Sequence, residues 1–164
     1  MPQKVTGSLS HIRPDGRVRM VDVSAKSATQ RTASASAQVT MPAAVLRALR
    51  GGAGRKGDPL EIARIAGIAA AKRTSDLIPL CHPLPLTHIE VEARYARGAV
   101  KLLSRVSTTA PTGVEMEALT AVSVAALTVY DMAKALGHAM TIEVALEHKA
   151  GGKSGYRRGA AAKK

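Results

Sequence analysis

From Thr32 to Met41 the chain alternates strictly. Ala33, Ala35, Ala37, Val39 and Met41 are apolar, and Thr32, Ser34, Ser36, Gln38 and Thr40 between them are polar. A period of two puts the two sets on opposite faces of a strand, so the segment belongs to a sheet with one covered and one polar face. The inward side chains are small, so whatever covers that face comes close to the backbone. The cover is of the same kind, because the chain has no Phe or Trp, three Tyr and a 46 % hydrophobic fraction. The core is therefore built from Ala, Val, Ile, Leu and Met. A length of 164 residues suits one compact domain.

The remaining elements follow from periodicity and punctuation. Val18, Met20, Val21 and Val23 read as a short strand ahead of the alternating one. Ala43 to Arg50 is a short apolar-basic piece, followed by the glycine-rich break from Gly51 to Gly57. Asp58 is placed as a helix N-cap with Pro59 at the first helical position, and the helix is expected to reach Lys72 or Arg73. Leu77 to Pro85 is loop. Ile89, Val91, Ala93 and Tyr95 alternate with His88, Glu90, Glu92 and Arg94. After the Arg97-Gly98 turn, Val100 to Val106 returns as the paired strand. Ser107 to Thr112 reads as loop, Val114 to Leu136 as a long helix closed by Gly137, and Thr141 to Leu146 as the last strand. The predicted fold is α+β, a ferredoxin-like antiparallel sheet with two main helices on one face and an extra N-terminal strand. Residues 1–16 are expected to be a flexible basic lead-in, 17–150 the single domain, and 151–164 a glycine-rich basic tail.

The formal net charge of +12 favours anionic partners: nucleic acid, phosphorylated small molecules or anionic lipid. The single cysteine, Cys81, excludes an internal disulfide and fits a reducing cytoplasm. No run of about 18 uncharged apolar residues predicts a membrane span, and Met1 to Ser10 lacks the apolar stretch of a secretory signal.

Three places can carry chemistry. On the long helix Glu117, Thr120, Thr128 and Asp131 fall on one stripe, with Lys134 three residues beyond Asp131. Asp131 and Lys134 read either as a structural ion pair or as an acid/base pair beside an anion. Glu117 and Asp131 lie roughly 21 Å apart along a helix rising about 1.5 Å per residue, so one small site does not use both from a single copy. In Leu80-Cys81-His82-Pro83 the prolines stiffen the loop. His82 reads either as a general acid/base or as a structural residue; Cys81 reads as a small buried residue or as a nucleophile. Lys56 precedes a helix N-terminus, where phosphates bind, and Lys153 lies in a glycine-rich stretch able to close on one. The scattered histidines predict no zinc site.

These stretches together resemble cyclic pyranopterin monophosphate synthase, the molybdenum cofactor biosynthesis protein C family. The matching residues are Met20 to Lys26, Lys56 to Asp58, Ala63 to Ile68, Ala70 to Thr74, Asp76 to Pro83, Thr112 to Ala121, Ala125 to Met132 and Gly151 to Gly155. One departure is Ala110-Pro111, where the family usually carries Gly-Lys. The resemblance implies a ferredoxin-like fold and a hexamer formed as a trimer of dimers, with sites shared between subunits. It implies conversion of 3′,8-cyclo-7,8-dihydro-GTP to cyclic pyranopterin monophosphate with loss of pyrophosphate. It also implies roles: Asp131, Lys56 and Lys134 catalytic; Leu80, Cys81, His82, Met116, Glu117, Lys26 and Lys153 on the substrate. No cofactor is firmly implied, although Mg2+ suits a triphosphate. The rival reading is a basic ferredoxin-like RNA-binding module, which the scarcity of stacking aromatics disfavours.

Overall fold

The computed structural model describes residues 9–51, 57–152 and 154–159. The alternating segment is β1 (Thr29–Thr40), followed by α1 (Ala43–Gly51), α2 (Pro59–Ala71) and a short α3 (Thr74–Leu77). The hairpin β2 (Leu86–Ala96) and β3 (Ala99–Ala110) comes next, then α4 (Glu115–Ala133), β4 (Thr141–Ala150) and β5 (Tyr156–Arg157). A single 3-10 turn, Lys134–Leu136, ends α4. The five strands form one antiparallel sheet in the order β2-β3-β1-β4-β5. Its first four strands have the split βαβ order expected from the sequence, with α2 and α4 packed side by side on the same face.

The period-two argument holds residue by residue. Ala33, Ala35, Ala37 and Val39 are buried against α4. Their cross-strand partners Val106, Ser104, Leu102 and Val100 lie on the same face, and all are buried. The polar member Ser104 is satisfied there, its hydroxyl donating to the Ala118 carbonyl of α4 at 2.8 Å.

Small residues set the spacing between the helices. Ala118, Ala121, Ala125 and Ala126 of α4 and Ala63 of α2 are buried together. A Cβ on Gly67 of α2 would stand 2.8 Å from the Ala121 carbonyl oxygen, 3.2 Å from Ala125 Cβ and 3.3 Å from Val91 Cγ2. At that point only a hydrogen fits between α2, α4 and β2. By length and composition the stretch Glu115–Leu136 is apolar enough to cross a membrane. In the fold it is the central helix, with Ala118, Val122, Val129 and Ala133 fully covered by the domain. Its outer side is not covered by the described residues: Leu127 is 58 % exposed, and Ile65 of α2 is 59 % exposed.

Three expectations need correction. Val18 to Val23 form no strand; Val18 makes one bridge to Ile12, and Met20 is exposed. That run lies outside the sheet, where Val21 and Val23 are only half-buried and no strand pairs with them among the described residues. The fifth strand is instead C-terminal, Tyr156–Arg157 pairing with Lys149 and His148. Ser107 to Thr109 are strand, not loop, because they pair with Thr32, Arg31 and Gln30 of β1. Thr and Ser suit a strand edge as well as a loop, and the partner strand decides.

Candidate active site

The Asp58 cap behaves as the sequence suggests: its carboxylate accepts from Leu60 N at 2.9 Å and starts α2. At the far end of α2, Thr74 turns the chain, its hydroxyl donating to the Ala71 carbonyl at 3.0 Å. The loop that follows is tightened by Cys81 N donating to the Ile78 carbonyl at 3.0 Å. It delivers Leu80, Cys81 and His82, all half-buried, to the first turn of α4.

Cys81 Sγ lies 3.7 Å from Glu117 Oε1 and donates to it. Glu117 is 3 % exposed, and its second oxygen, Oε2, is buried without a protein partner. Burial is the largest influence on Glu117 and raises its carboxyl above the ordinary range; the bond from Cys81 and a backbone bond oppose that rise. Burial, followed by the charge of Glu117, pushes the Cys81 thiol up to about 11. The thiol is therefore a proton donor at neutral pH and a poor nucleophile. On the other side of the loop His82 Nε2 donates to the Val21 carbonyl at 2.7 Å. Met116 stands partly exposed beside Glu117 at the start of α4.

Beside this cluster is a cavity of about 730 Å³ lined by Lys26, Arg31, Gly113, Glu115, Lys149 and Gly152, among others. Arg31 and Lys149 reach it because both lie on the inner face of the sheet. Arg31 continues the inward set of β1 and pairs with Thr108. Lys149 pairs with Ala33 only because β4 bulges between Leu146 and His148. The bulge leaves Glu147 against the outer residues Ser36 and Arg158. Lys149 Nζ is bonded to Glu115 Oε1 at 2.8 Å. Arg31 Nε is buried without a protein partner, and its Nη2 meets the Pro111 carbonyl at 3.5 Å. The N-terminus of α4 opens beside the cavity with no side-chain cap on it. Gly151, at φ 93°, forms the rim; a Cβ there would stand 1.8 Å from the Gln30 carbonyl oxygen. Three cations, of which Lys149 is paired with Glu115, an uncapped helix N-terminus and a close glycine turn suit phosphate-like anions.

The structure thus brings together Leu80, Cys81, His82, Met116 and Glu117, with Lys26 at the neighbouring cavity. Asp131 and Lys134 do not join them. They pair with each other, exposed, at the opposite end of α4, where the Asp131 carboxylate holds the Lys134 ammonium above its usual range. Lys56 and Lys153 lie outside the described residues. Sequence reasoning missed Arg31, Lys149 and Glu115. Arg31 had a signal, since it is a guanidinium at an inward position of an otherwise apolar alternation. Among the described residues no group of three or more His, Cys, Asp or Glu is placed to hold a metal.

Replacing Glu117 by Gln is expected to stabilise the protein above neutral pH. A buried carboxyl whose native pKa is raised weakens the fold as pH climbs from the unfolded value through the folded one. Gln keeps an acceptor for Cys81 and carries no charge. The gain should be on the order of 1 kcal/mol at pH 8 and should shrink toward pH 4, where both side chains are neutral. Urea denaturation at the two pH values measures it, and an equal or reversed difference contradicts the assignment.

The class of protein is thus an α+β sheet domain with a buried carboxyl and a loop imidazole near a cationic cavity. The sequence matches the MoaC family model over residues 20–152. It is 56 % identical over 156 residues to cyclic pyranopterin monophosphate synthase 1 of Mycobacterium tuberculosis, covering 93 % of this chain and 92 % of that protein. It is 57 % identical over 150 residues to the cyclic pyranopterin monophosphate synthase of Herpetosiphon aurantiacus (90 % and 92 %). It is 54 % identical over 155 residues to that of Deinococcus radiodurans (94 % and 92 %). The chain belongs to the MoaC family.

Proposed function

We propose that the protein is a cyclic pyranopterin monophosphate synthase of molybdenum cofactor biosynthesis, a phosphorus–oxygen lyase acting on 3′,8-cyclo-7,8-dihydro-GTP. The observation that carries the reading is the juxtaposition of the cationic cavity at Arg31 and Lys149 with Glu117, Cys81 and His82. A triphosphate suits the cavity and the open N-terminus of α4, which leaves the purine-derived ring beside the proton-handling groups. Ring opening and pyran formation move protons at several atoms, which calls for His and carboxyl groups. Closing the cyclic phosphate expels pyrophosphate, whose charge the cations stabilise. Magnesium in this reading accompanies the phosphates rather than occupying a protein cage.

Asp131, Lys134 and Lys56 are assigned to proton transfer at the ring. Since Asp131 lies a helix length from Glu117, we assign the two to different copies of the chain, in a trimer of dimers. The uncovered Leu127 and Ile65 support burial of the helix face in such an assembly. The cytoplasm is the compartment proposed. The RNA-binding alternative is disfavoured, because Tyr95, the only Phe, Tyr or Trp of β1–β4, packs against the core beneath Arg50.

The test is pyrophosphate release from 3′,8-cyclo-7,8-dihydro-GTP by the wild type, Asp131→Asn and Lys56→Ala. Release by the wild type and its loss in folded variants supports enzyme and site together. A folded, oligomeric wild type that releases none refutes the synthase reading.

A further inference from the structure

The stretch Met20 to Lys26 is shared with the family, yet the reading above uses only Lys26 from it. We propose that Val21 to Ser24 position His82: the turn made by Asp22 holds the Val21 carbonyl on Nε2 and so leaves Nδ1 as the nitrogen that exchanges protons with substrate. The catalytic half of this inference rests on the synthase reading; the tautomer does not.

The contact is His82 Nε2 to Val21 O at 2.7 Å. A carbonyl oxygen can only accept, so Nε2 carries a hydrogen whether the ring is neutral or charged. The neutral ring is then the Nε2–H tautomer, and its lone pair is on Nδ1. No protein group among the described residues is hydrogen-bonded to Nδ1. The Val21 peptide belongs to no strand or helix, so its direction depends on local bonds. Asp22 Oδ1 accepts from Ser24 N at 2.9 Å and from Ser24 Oγ at 2.6 Å, and Lys26 N donates to the Val23 carbonyl at 3.0 Å. The two bonds from Ser24 hold the Asp22 carboxyl below its usual range, with smaller help from the charges of Arg19 and His82. The carboxylate is ionised at neutral pH and both bonds are kept.

The loop side is fixed as well, by Pro79, Pro83 and the Cys81 N to Ile78 O bond. The imidazole is thus clamped between two turns, with one nitrogen engaged and the other open. A proton leaving the substrate goes to the Nδ1 lone pair. The ring becomes an imidazolium with Nε2–H still on the Val21 carbonyl, and the same proton passes from Nδ1 to a second basic atom of the substrate, which restores the neutral Nε2–H ring. Asp22 touches neither substrate nor proton; it is a positioning residue.

Ring-15N histidine labelling and magic-angle-spinning NMR of the assembled protein test this, with His82→Gln assigning the signal. At a pH where the ring is neutral, wild-type His82 should show a protonated Nε2 and an unprotonated Nδ1. Asp22→Ala should give a mixture of tautomers and a kcat about tenfold lower with KM changed less than about twofold. Asp22→Asn, whose side-chain oxygen accepts the same two bonds, should restore both readouts. An Nδ1–H tautomer in the wild type overturns the proposal. So does a folded Asp22→Ala that keeps both the tautomer and the turnover. Should the Ala variant fail to fold, the wild-type and Asn spectra decide alone. An inactive wild type with the Nε2–H tautomer counts against the synthase reading and leaves the tautomer assignment intact.

Discussion

Arg31→Met should raise KM for the triphosphate substrate by roughly 30- to 1,000-fold, the loss of about 2–4 kcal/mol expected when a charge-assisted phosphate contact is removed. Arg31 starts an inward-facing row of β1 and projects its guanidinium beside the α4 N-terminus. Its Nε is buried without a partner among the described residues, so that donor is already desolvated and unspent, while Nη2 makes only a long bond to the Pro111 carbonyl. A phosphate reaching the cavity completes them without new desolvation of the arginine. The phosphates remote from the ring are bound in ground state and transition state alike, so the loss falls on KM more than on kcat. Met preserves most of the stem's packing, which separates charge from volume. Arg31→Lys should recover only part of the affinity, because an ammonium cannot reproduce the planar fork. Steady-state kinetics of folded variants measure the effect. A KM within threefold of wild type for Arg31→Met removes this cavity from the phosphate site.

The second large effect concerns stability. Gly67→Val should destabilise the protein by about 3 kcal/mol or more, at the upper end of overpacking costs. Gly67→Ala should cost less, about 1–2 kcal/mol. An exposed helical glycine would gain about 1 kcal/mol on becoming alanine, so the sign is informative. Here the nearest neighbour of the added carbon is a backbone oxygen, Ala121 O at 2.8 Å, which cannot rotate away. Moving α2 off α4 to make room also opens the contacts of Ala63 and Ala118, both fully buried. Chemical denaturation midpoints of the two variants report the graded loss. A stabilised Ala variant shows that the helices separate readily.

The fold was legible where one residue's environment follows from its neighbours. Thr32 to Met41 showed its two faces, and Asp58-Pro59 showed the start of α2, because strand parity and capping are local. Val18 to Val23 misled because β-branched composition without a partner strand makes no sheet. Ser107 to Thr109 misled in the opposite direction, because their pairing with Gln30, Arg31 and Thr32 is invisible until β1 is beside them. The candidate site divides in the same way. Cys81 and His82 stood out on a proline-stiffened loop and Glu117 on a helix stripe, the resemblance gave them a common role, and the fold places them together. Arg31 was readable as a break in parity and was overlooked. Lys149 was not readable: on the alternation of Ile142, Val144 and Leu146, position 148 faces inward and 149 outward. Only the bulge at Glu147 reverses them.

That bulge makes β4 a strand with two phases. Before it, the inward positions answer to packing against α4; after it, they answer to the anion cavity. The extra residue works as a phase shifter, letting one half drift in sequence without rotating the other. Deleting Glu147 should therefore leave the sheet paired through Leu146, with His148 still opposite Ser34 and Lys149 still opposite Ala33. The ammonium would keep its place at the cavity, and what is lost is the Glu147 carboxylate that accepts from Ser36 and Arg158. The bulge residue can thus come or go without moving Lys149, and homologous strands of unequal length are comparable only from their own side of the bulge.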